Sequence, residues 1–173
     1  MPISIVEFRE DQVAELYEAV QESLGETAPW LSDLHADITP QDVEEYVRSQ
    51  PQLRADRQGY NFAIVDRNGA ILGGCGLTQL NWKHRFANLF YWTRKSAAGY
   101  GVAPAAVRLL AAFAFNTLDL HRVEIVVDIE NARSIRVAEK VGAIREGVAR
   151  NRLNTHDTPR DAYMYSLTPE RMS

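Results

Sequence analysis

Residues 102–118 carry an apolar helical pattern in which Arg108 and Asn116 are the main polar interruptions. A helix that is apolar nearly all round has no face to give to water, so it must be buried against other elements. Immediately ahead of it lies KSAAGYG, residues 95–101, with two glycines and no acidic residue. Inside a helix a glycine costs about 1 kcal/mol relative to alanine. At a helix entrance it leaves backbone N–H groups uncovered, where four unpaired donors and the helix dipole favour an anion. Strands are expected on both sides. RFANLFYWT, residues 85–93, precedes the glycines, and RVEIVVD, residues 122–128, follows with Val123, Ile125 and Val127 on one face.

The rest of the chain supplies strands and amphipathic helices around this unit. ISIVEF (3–8) reads as a strand, and DQVAELYEAVQESL places Val13, Leu16, Tyr17 and Val20 on one helical face, with Gly25 as its stop. ETAPWLSDLHADITP is a long loop, and long loops in compact domains are often functional. Thr39 caps a second helix, PQDVEEYVRSQ, with Pro40 at its first position. Two apolar strands flank Asn68-Gly69, a strong hairpin signal. Asn131 caps a short helix that Gly142 closes. AIREGVARNRL and DAYMYSL close the chain as strands around a polar loop, NTHDTPR. The order β-α-α-β-β-β-α-β-α-β-β predicts one mixed α/β sheet flanked by helices, in a single domain over residues 1–173.

Composition narrows the function. The net charge of −4 supplies no basic field for nucleic acid or anionic lipid, although local basic groups such as Arg145, Arg150 and Arg152 could bind a small anion. The lone Cys75 excludes an intrachain disulfide and a cysteine-cluster metal site, and the four histidines show no ligand spacing, so no metal is expected. Glu7, Arg9, Glu10 and Asp11 interrupt any apolar start, and no run is long enough for a bilayer; a cytoplasmic protein is expected.

Gly99-Tyr100-Gly101 is not a Rossmann fingerprint, because Val102-Ala103-Pro104 follows where a third glycine belongs. No Gly-Lys-Ser/Thr occurs, which excludes a Walker loop. GGCG, residues 73–76, lies inside a strand and marks a bulge or a close backbone approach. A tight strand-to-helix turn would explain Gly99 and Gly101, yet Ser96, Ala97 and Ala98 keep the approach open, which suits a pyrophosphate.

Residues 88–150 resemble the GCN5-related N-acetyltransferase superfamily, and within it the Rim-like branch of N-terminal protein acetyltransferases. The family pattern of Gln or Arg, two residues, Gly, one residue and Gly or Ala becomes Ser96-Ala97-Ala98-Gly99-Tyr100-Gly101, with Ser96 departing from the longer side chain. The resemblance implies a mostly antiparallel sheet splayed at the strand ending near Thr93, with acetyl-CoA wedged into the gap. It implies that Tyr91, Trp92 and Thr93 align the pantetheine. Ala98, Gly99, Tyr100, Gly101, Val102 and Ala103 would hold the pyrophosphate. Asn131 would contact the pantetheine, with Arg133 beside it, and Ser134 would lie near the thioester sulfur. Many members carry a tyrosine four residues after this serine; Ala138 stands there, which leaves Ser134 as the proton donor.

The acceptor end is read from fewer signals. Trp30 in the long loop resembles a tryptophan that shapes the acceptor pocket in Rim-like enzymes. Asp33, Trp82 and Tyr91 are further substrate-side candidates. Glu146, Asp33, Asp161 or a water are the candidate bases. The acids Asp33 and Asp37 beside Trp30 suggest a cationic amine next to an extended chain. The expected reaction is direct acetyl transfer from acetyl-CoA to a primary amine, either a protein or peptide N-terminus or a small amine such as a polyamine, antibiotic or amino acid. A CoA-binding protein without turnover and an interaction protein are the alternatives, and a homodimer is possible within any of them.

Overall fold

The computed structural model describes residues 2–31 and 35–171. Among them stand four α-helices and seven strands, in the order β1 (Ile3–Val6), α1 (Val13–Thr27), α2 (Pro40–Ala55), β2 (Tyr60–Asp66), β3 (Ile71–Asn81), β4 (Phe86–Thr93), α3 (Val102–Asn116), β5 (Arg122–Asp128), α4 (Ala132–Lys140), β6 (Ile144–Thr155) and β7 (Thr158–Leu167). This is the order that the sequence predicts. The strands form one sheet, β1-β2-β3-β4-β5-β7-β6. Every neighbouring pair is antiparallel except β4 and β5, which run parallel around α3.

Strand alternation divides the core between the two faces. Phe62 and Ile64 of β2 join Leu77, Leu89, Ile125 and the buried α3 residues Val107 and Leu110 on one face. Their neighbours Ala63 and Val65 join Leu16 and Val20 of α1 and Val43 and Val47 of α2 on the other. Burial of each such Leu or Val contributes about 1.5–3 kcal/mol. The helix at 102–116 is thus held by its apolar surface, as its composition demands. No helix of the described residues is long and apolar enough to cross a membrane.

Several boundaries differ from the sequence reading. Helix α1 runs through Gly25 to Thr27, whose Oγ1 donates to the Ser23 carbonyl. A glycine penalty of about 1 kcal/mol does not outweigh the packed face behind it. Helix α2 begins at the expected Thr39 cap, where the structure adds a capping box with Asp42, and continues past Pro51 to Ala55. The buried Gln50 supports that passage: its amide donates to the Tyr46 carbonyl and its oxygen accepts from Asn61 of β2. The polar segment 154–160 is not a loop. Strands β6 and β7 extend to a two-residue turn at His156-Asp157, both at positive φ, the conformation that suits a tight hairpin.

Candidate active site

The site originates where the parallel pair fails. β4 and β5 are in register only over Phe86–Asn88 and Arg122–Glu124. Beyond Asn88, β4 stays with β3 as far as the Thr93–Gly73 pair, while β5 stays with β7 as far as Asp128–Ala162. The strands diverge because each follows a different partner. Between them opens a cleft of about 520 Å³, walled by Leu89–Thr93 on one side and residues 125–128 on the other. The β3 glycines leave room for side chains of β4. A Cβ on Gly74 would lie 2.6 Å from Trp92 Nε1, and one on Gly76 would lie 2.7 Å from Phe90 Cε1. Those two contacts are with side chains; the close backbone approach expected of GGCG is at Gly73, where a Cβ would collide with the Trp92 carbonyl oxygen. Tyr91 and Trp92 accordingly pack on opposite faces of the sheet.

One end of the cleft is the entrance of α3. Gly99 has φ +85 and Gly101, the N-cap, φ +78, a left-handed backbone that glycine adopts without penalty. A Cβ at either position would meet nothing within 4 Å, so the space over them is open. No side chain caps this helix, and Ala98, Gly99, Gly101, Val102 and Ala103 line the cleft. The loop before it is pinned from α1. Glu22 accepts from the Ser96 amide at 2.7 Å and from Arg94 Nε at 2.5 Å, and the Lys95 amide donates to Ser23 Oγ. The Arg94 hydrogen bond, with those of Ser96, lowers the Glu22 pKa from its ordinary 4.5 to about 2.

In the middle, Asn131 Oδ1 caps α4 by accepting from the Ser134 amide at 3.0 Å. Ser134 Oγ lies 2.7 Å from the Tyr91 hydroxyl, a hydrogen bond from α4 to β4 across the gap. Burial pushes the Tyr91 pKa up to about 12 despite the opposing bond to Ser134. Tyr91 is therefore a neutral phenol at physiological pH. Glu26, Thr27, Trp30, Gln79 and Arg152 also line the cleft. Glu26 is ion-paired with Arg133, and that hydrogen bond lowers its pKa. Asp128 also lines the cleft. Burial would raise its pKa, but Arg160 and the Glu130 amide overcome this and hold it below the ordinary value.

A family model described as an acetyltransferase (GNAT) domain matches residues 3–144. The chain belongs to the acetyltransferase (GNAT) family. It is 34% identical over 113 residues to "Putative ribosomal N-acetyltransferase YdaF" of Bacillus subtilis (strain 168), a match covering 65% of this chain and 61% of that protein's length. Spermidine N(1)-acetyltransferase of Escherichia coli (strain K12) is 30% identical over 84 residues, 49% of this chain and 45% of that one. Mycobacterium smegmatis RimJ in complex with CoA-disulfide shares the fold, with a TM-score of 0.88 at 21% identity over 97% of this chain and 82% of that one. The Rim-like branch that the sequence resembles is the one these similarities support.

Within this GNAT domain, most of the site residues singled out from the sequence converge on the cleft, and five of the described ones do not. Trp82 lies elsewhere: its Nε1 donates to the Arg57 carbonyl and its ring packs between the Arg57 guanidinium and Tyr60. Tyr100 is 68% exposed and does not line the cleft. Glu146 is no free base, because Arg122 grips both its oxygens at 2.6 Å and Ser166 adds a third bond. The Arg122 contact, above all, lowers its pKa to about 2. Asp161 accepts from the Asn151 amide and also lies off the cleft. Asp33 falls outside the described residues, and Asp37 is exposed away from the cleft. Among the described residues no group of His, Cys, Asp or Glu is arranged to hold a metal. Sequence reasoning missed Glu22 and Glu26, and it offered Arg152 only as one of several basic groups able to bind a small anion. Each is an ordinary charge on a helix or strand, and only the approach of distant elements gives it a role.

Proposed function

We propose that this chain is a single-domain N-acetyltransferase that moves the acetyl group of acetyl-CoA directly to a primary amine, with a protein or peptide N-terminus as acceptor. The carrying observation is the splayed β4/β5 cleft. It is lined by uncapped helix-entrance backbone at residues 99–103, by the Ser134–Tyr91 bond and by Trp30.

The open space over Gly99 and Gly101 suits a diphosphate approaching the backbone closely, as helix entrances favour. When bound, acetyl-CoA supplies an acyl group already activated as a thioester. The amides of residues 99–103 hold its phosphates in this reading. Beyond Asn88 the edge of β4 that faces the gap is unpaired, so the backbone of Tyr91–Thr93 aligns the pantetheine and polarises the carbonyl. Arg133 and Asn131 flank the same arm from α4. In this reading the Tyr91 hydroxyl, which also reaches the Ser134 carbonyl at 3.3 Å, donates to Ser134 Oγ and leaves the serine's own proton for the departing sulfur. Ser134 then acts as the general acid. The amine attacks from the Trp30 side and loses its proton to water in this reading; Glu146 and Asp161 are engaged elsewhere.

A small-amine acceptor is the second reading, favoured by the name of the spermidine acetyltransferase among the relatives. Steady-state release of free CoA thiol separates the two, using a peptide with a free N-terminus, its N-blocked form and spermidine. The proposal expects transfer to the free peptide only. Equal rates on blocked and free peptide, or activity on spermidine alone, would overturn it.

A further inference from the structure

The described lining of the cleft holds two carboxylates, Glu26 and Asp128, against four cations, Arg133, Arg136, Lys140 and Arg152. Both carboxylates are already engaged, Glu26 by Arg133 and Asp128 by Arg160. Arg136 and Lys140 are one turn apart on α4, where the Lys140 carbonyl takes the Arg108 guanidinium of α3. They belong to the side of the cleft that α3 and α4 build. Arg152 lies on β6, half-buried, and its recorded partner is neutral, Gln79 Oε1 at 3.1 Å.

Two irregular strands cooperate to hold it there. The β6 ladder shifts register between Ala149 and Leu153, with Asn151 at φ 51, and Asp161 fixes that bulge by accepting the Asn151 amide. The β3 ladder shifts between Thr78 and Asn81, with Gln79 itself at φ 50. Non-glycine residues rarely adopt this conformation, and bulges commonly re-aim a side chain beside an active site. Here the two bulges meet through the Gln79–Arg152 hydrogen bond. Four residues on, His156 at the hairpin tip contacts the Ala28 carbonyl, beside the turn that carries Trp30. Arg152 is thus held on the acceptor side by strained backbone from two directions.

From the function proposed above, the geometry points to Arg152 as the residue that reads an anionic group on the acceptor: a carboxylate within a residue or two of the reacting amine, as in a peptide with acidic residues next to its N-terminus. A guanidinium with donors to spare matches a carboxylate fork. It repels a second ammonium, so a polyamine is disfavoured, and it also disfavours the protonated form of a nearby amine, leaving more of it nucleophilic. The acids read from the 25–39 loop suggest a cationic acceptor; the described cleft offers the opposite charge.

The test compares peptides of equal length that are acidic, neutral or basic at their second and third residues, together with spermidine. Wild-type protein is assayed beside Arg152→Gln and Arg152→Glu, and acetyl-CoA affinity is measured for each by calorimetry. The expected wild-type result is a KM for the acidic peptide at least tenfold below that for the neutral one, at similar kcat. Arg152→Gln should bring the two within about twofold, and Arg152→Glu should favour the basic peptide, all with unchanged acetyl-CoA affinity. A flat wild-type ranking, a ranking that survives Arg152→Gln, or a loss of acetyl-CoA affinity in its place overturns the assignment. Peptide transfer without charge preference removes Arg152 from recognition while sparing the proposed function. Transfer to spermidine alone, or to none of these amines, removes both.

Discussion

The hydroxyl of Tyr91 on β4 lies 2.7 Å from Oγ of Ser134 on α4, bridging the gap that opens where β4 and β5 part. If Ser134 protonates the leaving thiolate with its rotamer set by Tyr91, the two residues act as a unit. Ser134→Ala should lower kcat about 100-fold or somewhat less, near the low end of general-acid contributions, with acetyl-CoA affinity changed only a few-fold. Tyr91→Phe should lower kcat by less, and the double variant should match Ser134→Ala alone. Multiplicative losses in steady-state assays would show two independent roles.

Gly101 tests the phosphate cradle. Its φ of +78 makes any L side chain strained, at about 1–2 kcal/mol, although a Cβ there meets no neighbour. Gly101→Val should therefore lower the melting temperature modestly and weaken acetyl-CoA binding by more than that strain accounts for. Calorimetric titration of the folded variant gives the answer; wild-type affinity would remove the loop from the site.

Glu22 gives the acid limb of stability. Its folded pKa of about 2 lies below its ordinary 4.5, so its contribution is full above pH 4.5. That contribution drains as pH falls toward 2, when the carboxylate protonates and releases Arg94 and the Ser96 amide. Glu22→Gln should lower the melting temperature at pH 7 and flatten its fall between pH 4.5 and 2. Because Glu22 pins the loop ahead of α3, the same variant should weaken acetyl-CoA binding several-fold at pH 7.

Glu146 is expected to be dispensable for chemistry. Arg122 and Ser166 hold it ionised far below assay pH and away from the cleft. Glu146→Gln should keep kcat within about threefold while lowering the melting temperature, and the alkaline rise of the pH–rate profile should be unchanged. A kcat loss of about 100-fold, the lower range for an acid–base residue, would restore it as the base.

The two tryptophans first grouped as substrate contacts should separate. Trp30 lines the cleft and Trp82 packs against Tyr60 and Arg57. Trp30→Ala should raise the peptide KM about tenfold or more at constant acetyl-CoA affinity. Trp82→Ala should cost stability, about 3 kcal/mol or less for a half-buried aromatic, and leave KM near wild type.

The sequence by itself determined the element order, the capping of α2 and α4, the burial of α3 and the glycine-lined helix entrance. Each rests on interactions within a few residues, where periodicity, capping side chains and backbone freedom act locally. Two kinds of error stand out. Helices α1 and α2 ran past Gly25 and Pro51 because packing from distant strands outweighed local propensity. Glu146, Asp161 and Trp82 looked available because their partners, Arg122, Asn151 and Arg57, are brought to them only by the fold. Tertiary structure alone decided where β4 leaves β5, since that depends on which neighbour each strand follows. It alone set Tyr91 against Ser134, 43 residues apart in the chain, Glu22 against the Ser96 amide, and Arg152 against Gln79. A charge or hydroxyl acquires its function from what stands opposite it, and across such separations only the packed sheet fixes that.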